Sequence, residues 1–277
     1  MIFIIGGTGR LGKAIASRYS CEETALPSRS VYENWWMPNS VSLISEYFRP
    51  WDGSGSVIFV ASGLLDPSAA MSDLQRINYS LPVNIIEGTK KLGIRVVTFG
   101  TVTERLFPEG NAYVKSKIAL SEYIARSAIH DGSAAHIRLH TLYGLYEPSP
   151  FMFLGQILRA LRSQSKFEMT QGKQLREYHH FEDDAGAIHC FTKSWEPGLI
   201  ELNHGQSVAL RDIAATIFSA FDAENLLAIG SKPEPKEENY GVSFDKPDFL
   251  KSVSFRDTLP GILGYMKYCL AGLDTES

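Results

Sequence analysis

The chain has 277 residues, of which 44% are apolar and 21% charged, and its formal net charge is −4. This composition is typical of a globular protein with a full core, and it excludes collagen-like, low-complexity and disordered classes. The slightly negative charge provides no basic footprint for nucleic acid, so we expect no nucleic-acid partner.

Short apolar runs rich in β-branched residues alternate with helical patterns, most regularly before Gly144. The runs predict strands at Ile2–Ile5, near Leu26, and at Val57–Ala61, Val96–Phe99, Ile137–Leu139 and Ile200–Leu202. The helical patterns are Leu11–Tyr19, Ser40–Phe48, Leu74–Leu92, Val114–Ile129 and Asp183–Lys193. Apolar strands joined by helices predict an α/β fold, a doubly wound parallel sheet covered on both faces.

Glycines follow the first predicted strand directly. Gly6, Gly9 and Gly12 are spaced three apart in GGTGRLG, just before a predicted helix. Glycine permits a tight turn and a close approach of the backbone to a pyrophosphate, whose charge a helix N-terminus favours. This context predicts a dinucleotide-binding loop. The cofactor-binding residues expected there are Gly6, Thr8, Gly9, Arg10, Leu11 and Gly12.

The second predicted strand ends without the acidic residue that NAD-preferring folds usually carry there for the ribose hydroxyls. Pro27, Ser28 and Arg29 occupy that place. Ser28 and Arg29, together with Arg10, could surround a 2′-phosphate, which favours NADP over NAD. NAD stays an alternative, because Arg29 can also be an ordinary solvated surface charge.

A candidate proton-transfer group lies near the middle of the chain. Tyr113 and Lys117 form its single Tyr-x-x-x-Lys pair, at the start of a predicted helix where both share one face. A nearby ammonium lowers the pKa of a phenol, which makes tyrosine a usable acid or base near neutral pH. Thr101 ends a predicted parallel strand, at the edge where the active sites of such sheets lie, and its hydroxyl could hold a substrate oxygen.

These features resemble the extended short-chain dehydrogenase/reductases, also called the NAD-dependent epimerase/dehydratase family. The matching motifs, in order, are GGTGRLG, Asn78 in RINYSLPVNIIEGTKKLG, the strand ending at Thr101, YVKSK, IRLHTLYG, REYHHFEDDA and NHGQSVALRDIA. The resemblance implies an NAD(P)-dependent enzyme with a Rossmann-like fold and a smaller, mostly helical substrate lobe. We expect residues 1–144 with 183–206 to bind the dinucleotide, and 145–182 with 207–277 to form the lobe.

The resemblance also implies roles for single residues. Tyr113 would be the catalytic acid/base, Lys117 would hold the nicotinamide ribose and tune the tyrosine, and Thr101 would fill the family's Ser/Thr position. Further cofactor contacts are implied at Ala61, Ser62, Gly63 and Asn78. Contacts with a nucleotide-diphosphate sugar are implied at Thr103, at Thr141, which replaces a common Asn, and at Arg176.

Members of this family reduce, epimerise or dehydrate nucleotide sugars, and two details favour reduction. The 4,6-dehydratases typically carry Glu two residues after the catalytic Thr, where this chain has Thr103, and Glu104 comes one residue late. The stretch between the first strand and Val57 is short for an epimerase and closer to the family's 4-ketoreductases. We expect NADPH-dependent reduction of a nucleotide-linked 4-keto-6-deoxy sugar at C4. The alternatives are an epimerase with bound NAD and a non-catalytic NADP-sensing protein.

A metal site is not expected. Cys21, Cys190 and Cys269 are far apart and form no zinc-type pair, and their odd number offers no disulfide framework. His179-His180 is followed by two aspartates, but adjacent histidines on an extended segment point to opposite faces.

We expect a cytoplasmic protein with no membrane partner. No apolar run reaches the roughly 20 residues that a bilayer span needs, and the opening MIFIIGG predicts a first strand rather than a signal peptide. The resemblance implies a homodimer that pairs through the helices Leu74–Leu92 and Val114–Ile129.

Overall fold

A computed structural model describes residues 1–66, 68–128 and 132–272. The chain forms two compact units, Met1–Leu139 with Ala185–Leu202, and His140–Asp184 with Asn203–Ser277. The sequence predicts a first break at residue 144, whereas the first unit ends at Leu139, because Thr141–Tyr143 pairs with Tyr178–His180 of the second unit. The predicted helix end at Ile129 and the last part of the predicted lobe, 273–277, lie outside the described residues.

The strands and helices follow in chain order. The strands are β1 (Ile2–Ile5), β2 (Thr24–Ala25), β3 (Val57–Val60), β4 (Arg95–Thr101), β5 (Ala134–Leu139), β6 (Thr141–Tyr143), β7 (Phe167–Met169), β8 (Leu175–Arg176), β9 (Tyr178–His180), β10 (Gly198–Glu201), β11 (Val208–Ala209) and β12 (Leu227–Ile229). The α-helices are α1 (Arg10–Ala16), α2 (Arg29–Tyr32), α3 (Val41–Phe48), α4 (Met71–Gln75), α5 (Leu81–Thr89), α6 (Thr103–Leu106), α7 (Ala112–Ala128), α8 (Phe153–Ser163), α9 (Phe181–Ser194), α10 (Leu210–Ala220) and α11 (Thr258–Leu270).

The first unit is built on a six-stranded parallel sheet with the strand order β10-β5-β4-β3-β1-β2. All four residues of β3 are buried, as a strand covered by helices on both faces requires. The predicted α/β fold is therefore confirmed. Since β1, β3 and β4 are neighbours, the segments that follow them emerge side by side at the carboxyl edge of the sheet, where sites of such folds lie.

The predicted helix Leu74–Leu92 is one continuous helical segment with a change of type in its middle. A π-helical turn, Arg76–Ser80, separates α4 from α5, and α5 carries Pro82 in its first turn. Proline has no N–H to donate, so it fits the first turn of a helix better than the interior. The π-helical turn thus accommodates a residue that an uninterrupted α-helix would not.

The second unit combines helices with short strands. Its core is formed by apolar side chains of α8, α10 and α11, among them Ile157, Leu161, Ile213, Phe218 and Met266. Three two-stranded sheets, β6 with β9, β7 with β12 and β8 with β11, complete it. None of the helices within the described ranges has the length and apolar character needed to span a membrane.

Candidate active site

The glycine loop after β1 is shaped by backbone contacts that leave no room for side chains. Gly6 has φ of 86°, in the left-handed region, and a Cβ there would lie 2.5 Å from the backbone nitrogen of Ser62. A Cβ on Gly12 would collide with the carbonyl oxygen of Gly6. The N–H of Gly9 donates to that same oxygen at 3.0 Å, and α1 begins one residue later. Thr8 and Gly9 are exposed, so the loop presents open backbone that fits a pyrophosphate.

The segment after β2 lies beside this loop. A Cβ on Gly7 would lie 2.8 Å from Cδ2 of Leu26, which directly follows β2. Ser28 and Arg29 are exposed, with Arg29 opening α2, and the first acidic residue after β2 is Glu33 at the end of that helix. The side chains available at the end of β2 are therefore a hydroxyl and a guanidinium.

The segment after β3, which includes Ala61, Ser62 and Gly63, is held in place by Asn78. Asn78 is buried in the π-helical turn, where its Oδ1 accepts the N–H of Leu64 at 2.9 Å and its Nδ2 donates to the Leu64 carbonyl at 3.0 Å. Nδ2 also lies 3.1 Å from Oγ of Ser116 in α7. The amide that the resemblance assigns to the cofactor is thus occupied in positioning this loop.

The candidate catalytic residues gather at the end of β4. Lys117 is buried, and its Nζ donates to the carbonyl oxygen of Phe99 at 2.9 Å. The hydroxyl of Thr103 donates to Oγ1 of Thr101 at 3.0 Å, which leaves the Thr101 hydroxyl hydrogen available to another acceptor. Tyr113 lies in the first turn of α7, one turn before Lys117.

The pKa of Tyr113 is raised, whereas the sequence predicts that a neighbouring ammonium lowers it. Burial and the negative charge of Glu104 raise the pKa of Tyr113. Burial lowers the pKa of Lys117 to about 8, against an opposing effect of Glu104. Burial and Glu104 thus shift the pKa of Tyr113 in the direction opposite to the one expected from a nearby ammonium, because desolvation penalises the phenolate.

Two of the expected substrate-binding residues, Arg176 and Thr141, belong to the second unit and not to the six-stranded sheet. Thr141 begins β6, and its N–H donates to the carbonyl oxygen of Glu177 at 3.2 Å. The guanidinium of Arg176 donates to Oε1 of Glu238 at 2.6 Å and to the Leu175 carbonyl at 2.8 Å. In the described structure Arg176 is therefore paired with a carboxylate.

The two adjacent histidines of β9 have different surroundings, as the sequence predicts. His179 is buried, with Nδ1 2.7 Å from Oδ1 of Asp184 and Nε2 3.1 Å from Oε2 of Glu177, whereas His180 is partly exposed. Burial disfavours the imidazolium of His179, but the carboxylates of Asp184 and Glu177 outweigh it and raise its pKa to about 9.

One group of side chains in the described ranges has ligand atoms close enough together to share a metal ion, namely His140, Glu177 and His179. Nε2 of His140 already lies 2.7 Å from Oδ1 of Asn203, and both nitrogens of His179 face carboxylates. The group is thus an internally hydrogen-bonded network, and the absence of a metal stays a prediction.

Sequence comparison decides the family. Residues 2–201 match the profile of the NAD dependent epimerase/dehydratase family. The chain belongs to this family. The resemblance carried by the motifs is thereby confirmed, and with it an enzyme family described by its NAD dependence. No curated protein matches the chain at a significant level.

Solved structures share this family's fold over nearly the whole chain. A UDP-N-acetylglucosamine 4-epimerase from Methanobrevibacter ruminantium has a TM-score of 0.76 at 13% identity, covering 98% of each chain. A dTDP-4-dehydrorhamnose reductase from Bacillus anthracis, in complex with NADP, has a TM-score of 0.74 at 16% identity, covering 96% of this chain and 97% of its own. A dTDP-glucose 4,6-dehydratase from Streptomyces venezuelae, with NAD, has a TM-score of 0.74 at 14% identity, covering 97% of this chain and 96% of its own. At identities this low, the similarity shows only that the fold is shared.

Proposed function

We propose that the chain is a nicotinamide-dependent reductase of a nucleotide-linked 4-keto-6-deoxy sugar, with Tyr113 as the proton donor. The observation that carries this proposal is the arrangement at the end of β4, where the Thr101 hydroxyl hydrogen is available to an acceptor and the first turn of α7 brings Tyr113 next to the anchored Lys117. Burial and the charge of Glu104 raise the pKa of Tyr113, which favours the phenol as a proton donor. Reduction of a carbonyl needs a group that gives a proton to the developing alkoxide, whereas oxidation of a hydroxyl, the first step of an epimerisation, needs a base.

The glycine loop supports a dinucleotide as the cofactor. Backbone at Gly6 and Gly12 approaches so closely that no Cβ fits, and the exposed N-terminal turn of α1 suits a pyrophosphate. Ser28 and Arg29 at the end of β2 support NADP over NAD, because a guanidinium binds a phosphate well and no carboxylate is present there for ribose hydroxyls. The bound cofactor would supply the hydride.

Hydroxyl groups at the end of β4 would orient the substrate. Because Thr103 donates to Oγ1 of Thr101, the hydroxyl hydrogen of Thr101 is free to point at a substrate carbonyl oxygen. Tyr113 would protonate that same oxygen as its negative charge develops. The ammonium of Lys117, fixed by the Phe99 carbonyl, would add a positive charge on the same face of α7 and hold the ribose.

The sugar nucleotide would be recognised by the second unit. Arg176 and Thr141 are the proposed diphosphate contacts, and binding would require Arg176 to exchange Glu238 for phosphate oxygens. The solved structures named above include enzymes of UDP and dTDP sugars, which supports a nucleotide-diphosphate sugar as the substrate class. A cytoplasmic location and a homodimer remain predictions of the sequence.

A substrate and cofactor screen tests the proposal. The purified protein is mixed with nucleotide-linked 4-keto-6-deoxyhexoses and either NADPH or NADH, and the absorbance of the reduced nicotinamide is followed. We expect the absorbance to fall with at least one keto sugar, and faster with NADPH. A constant absorbance with every keto sugar, together with interconversion of sugar epimers by the protein with bound NAD, would establish the epimerase instead.

A further inference from the structure

Glu104, the glutamate one residue out of place for dehydration, lies inside the first unit. Its side chain has no exposed surface. Oε1 accepts the N–H of Thr101 at 2.7 Å and lies 3.3 Å from Nε2 of His136, while Oε2 accepts Nε–H of Arg138 at 3.2 Å. Burial by itself raises the pKa of this carboxyl, but these partners more than offset it and hold the pKa at about 2. Glu104 therefore carries a fixed negative charge at neutral pH.

His136 directs this carboxylate without cancelling its charge. The ring is buried in β5, and burial above all lowers its pKa, so the imidazole is neutral at neutral pH. Its Nδ1 lies 2.7 Å from Oγ1 of Thr98. When the Thr98 hydroxyl donates to Nδ1, the single ring proton is on Nε2 and is donated to Glu104.

Gly100 allows the carboxylate and the Lys117 ammonium to reach the same short stretch of β4. On one side of Gly100, the Phe99 carbonyl accepts Nζ of Lys117 at 2.9 Å. On the other side, the N–H of Thr101 donates to Glu104 at 2.7 Å. A side chain at position 100 would collide with the carboxylate. The glycine thus makes space for a buried anion at the site of the proposed chemistry.

The arginine that pairs with Glu104 is shared with a second carboxylate, Glu201. Arg138 is shared with Glu201, whose Oε1 accepts its Nη1–H at 2.7 Å, and Arg105 lies 4.0 Å from the same oxygen of Glu201. The neutral ring of His136 adds no positive charge. The charge of Glu104 also acts on groups outside its own hydrogen bonds, since it raises the pKa of both Lys117 and Tyr113.

We infer that Glu104 is a positioning residue of the proposed active site: its carboxylate fixes the backbone of Thr101 and is the buried counter-charge of Lys117. The inference rests on the proposed function, since the proposed roles of Thr101 and Lys117 come from that reaction. It agrees with the electrostatics, because Glu104 opposes the lowering of the Lys117 pKa and raises the pKa of Tyr113. Glu104 thereby favours a protonated Lys117 and a protonated Tyr113 together.

The ionisation of Lys117 tests the counter-charge without any substrate. Glu104→Gln keeps an oxygen for the Thr101 N–H but removes the charge. Glu201→Gln is the matched control, because it removes the other carboxylate on Arg138 and leaves Thr101 untouched. The pKa of Lys117 is read from an NMR titration of isotope-labelled lysine side chains, assigned with Lys117→Met. We expect Glu104→Gln to lower this pKa by about one unit and Glu201→Gln to leave it nearly unchanged. An unchanged Lys117 pKa in Glu104→Gln overturns the inference.

The pH profile of turnover then separates positioning from simple structural damage. We expect the alkaline limb of kcat in Glu104→Gln to move to lower pH by about one unit, in step with Lys117. If this variant fails to fold, Glu104→Asp, whose shorter side chain draws the charge away from Lys117, should shift the limb in the same direction by a smaller amount. A folded variant whose profile superimposes on the wild type overturns the inference. If the wild type turns over no keto-sugar nucleotide, the proposed function fails, and the Lys117 titration still decides the role of Glu104.

Discussion

Nζ of Lys117 donates a hydrogen bond to the carbonyl oxygen of Phe99 at 2.9 Å, which connects α7 to the carboxyl end of β4. Because Thr101 lies two residues further along β4 and Tyr113 one helical turn before Lys117, this bond holds the three proposed catalytic residues in one unit of the fold. The arrangement rests on backbone and buried side chains, so it exists before any ligand binds.

Removal of the Tyr113 hydroxyl should abolish most of the reaction. We expect Tyr113→Phe to lower kcat by roughly 10²–10⁴-fold, the usual contribution of a proton-transfer group, while NADPH still binds. Turnover and cofactor binding are measured separately, by absorbance and by fluorescence. Tyr123→Phe is the matched control, because Tyr123 lies on the same helix and its hydroxyl bonds to Glu87. Near-normal turnover in Tyr113→Phe would contradict the assignment.

The buried ammonium of Lys117 should lower the free energy of unfolding of the protein. Burial lowers its pKa from 10.5 to about 8, so the unfolded chain binds more protons between these pH values, and stability rises as pH increases from about 8 to 10.5. At pH 7 the full penalty of about 3 kcal/mol applies. Lys117→Met removes this penalty. It also leaves the Phe99 carbonyl without the lysine hydrogen bond, which destabilises the fold by about 1–3 kcal/mol. We therefore expect an inactive variant that is at least as stable as the wild type at pH 7.

Denaturant unfolding at several pH values checks the sign of this effect. The advantage of Lys117→Met over the wild type should shrink steadily as the pH rises from about 8 to 10.5. An advantage that is independent of pH in this window would show that Lys117 is not desolvated as described.

Arg29 should determine the preference for NADPH. If its guanidinium binds the 2′-phosphate, Arg29→Ala should raise KM for NADPH by about ten- to a hundredfold, since hydrogen bonds to charged groups contribute roughly 1.5–3 kcal/mol. KM for NADH should change little. Arg49→Ala, which alters another exposed arginine at the end of α3, is the control. Equal effects of Arg29→Ala on both cofactors would refute the 2′-phosphate contact.

The buried histidine network should make the second unit sensitive to acid. Burial, and then the charge of His179, lower the pKa of His140 from 6.5 to about 4. The unfolded chain therefore binds more protons between these values, and stability is lost as pH falls from 6.5 towards 4. His140→Gln keeps a donor for Asn203, so its stability should fall less steeply in this window, by up to about 1.4 kcal/mol per pH unit. Unfolding curves with parallel pH dependence for the variant and the wild type would disprove this.

The sequence predicted the parallel sheet, the glycine loop and the positions of Thr101 and Lys117, because each depends on local pattern. It began β5 at Ile137, whereas the strand starts at Ala134 and includes His136. A histidine interrupts an apolar run in the sequence, yet here it is buried with its Nε2 3.3 Å from Oε1 of Glu104, which gives the ring a polar partner. Such a pair joins residues 32 apart in the chain, so no local pattern reveals it.

Two further features were missed for the same reason. The amide of Asn78 positions the loop after β3 through Leu64, a contact 14 residues along the chain that motif matching does not contain. Gly100 looks like an ordinary strand glycine, and its closeness to Glu104 and His136 explains why a side chain is excluded. A glycine next to the end of a catalytic strand, followed four residues later by a glutamate, was the available signal.

The stoichiometry of cofactor use tests the central claim most directly. With a nucleotide-linked 4-keto-6-deoxy sugar as the limiting reagent, NADPH consumed and reduced sugar formed are measured in the same reaction. A reductase in which Tyr113 donates the proton predicts one NADPH oxidised for each sugar reduced. Conversion of the sugar without any net loss of NADPH would contradict the account.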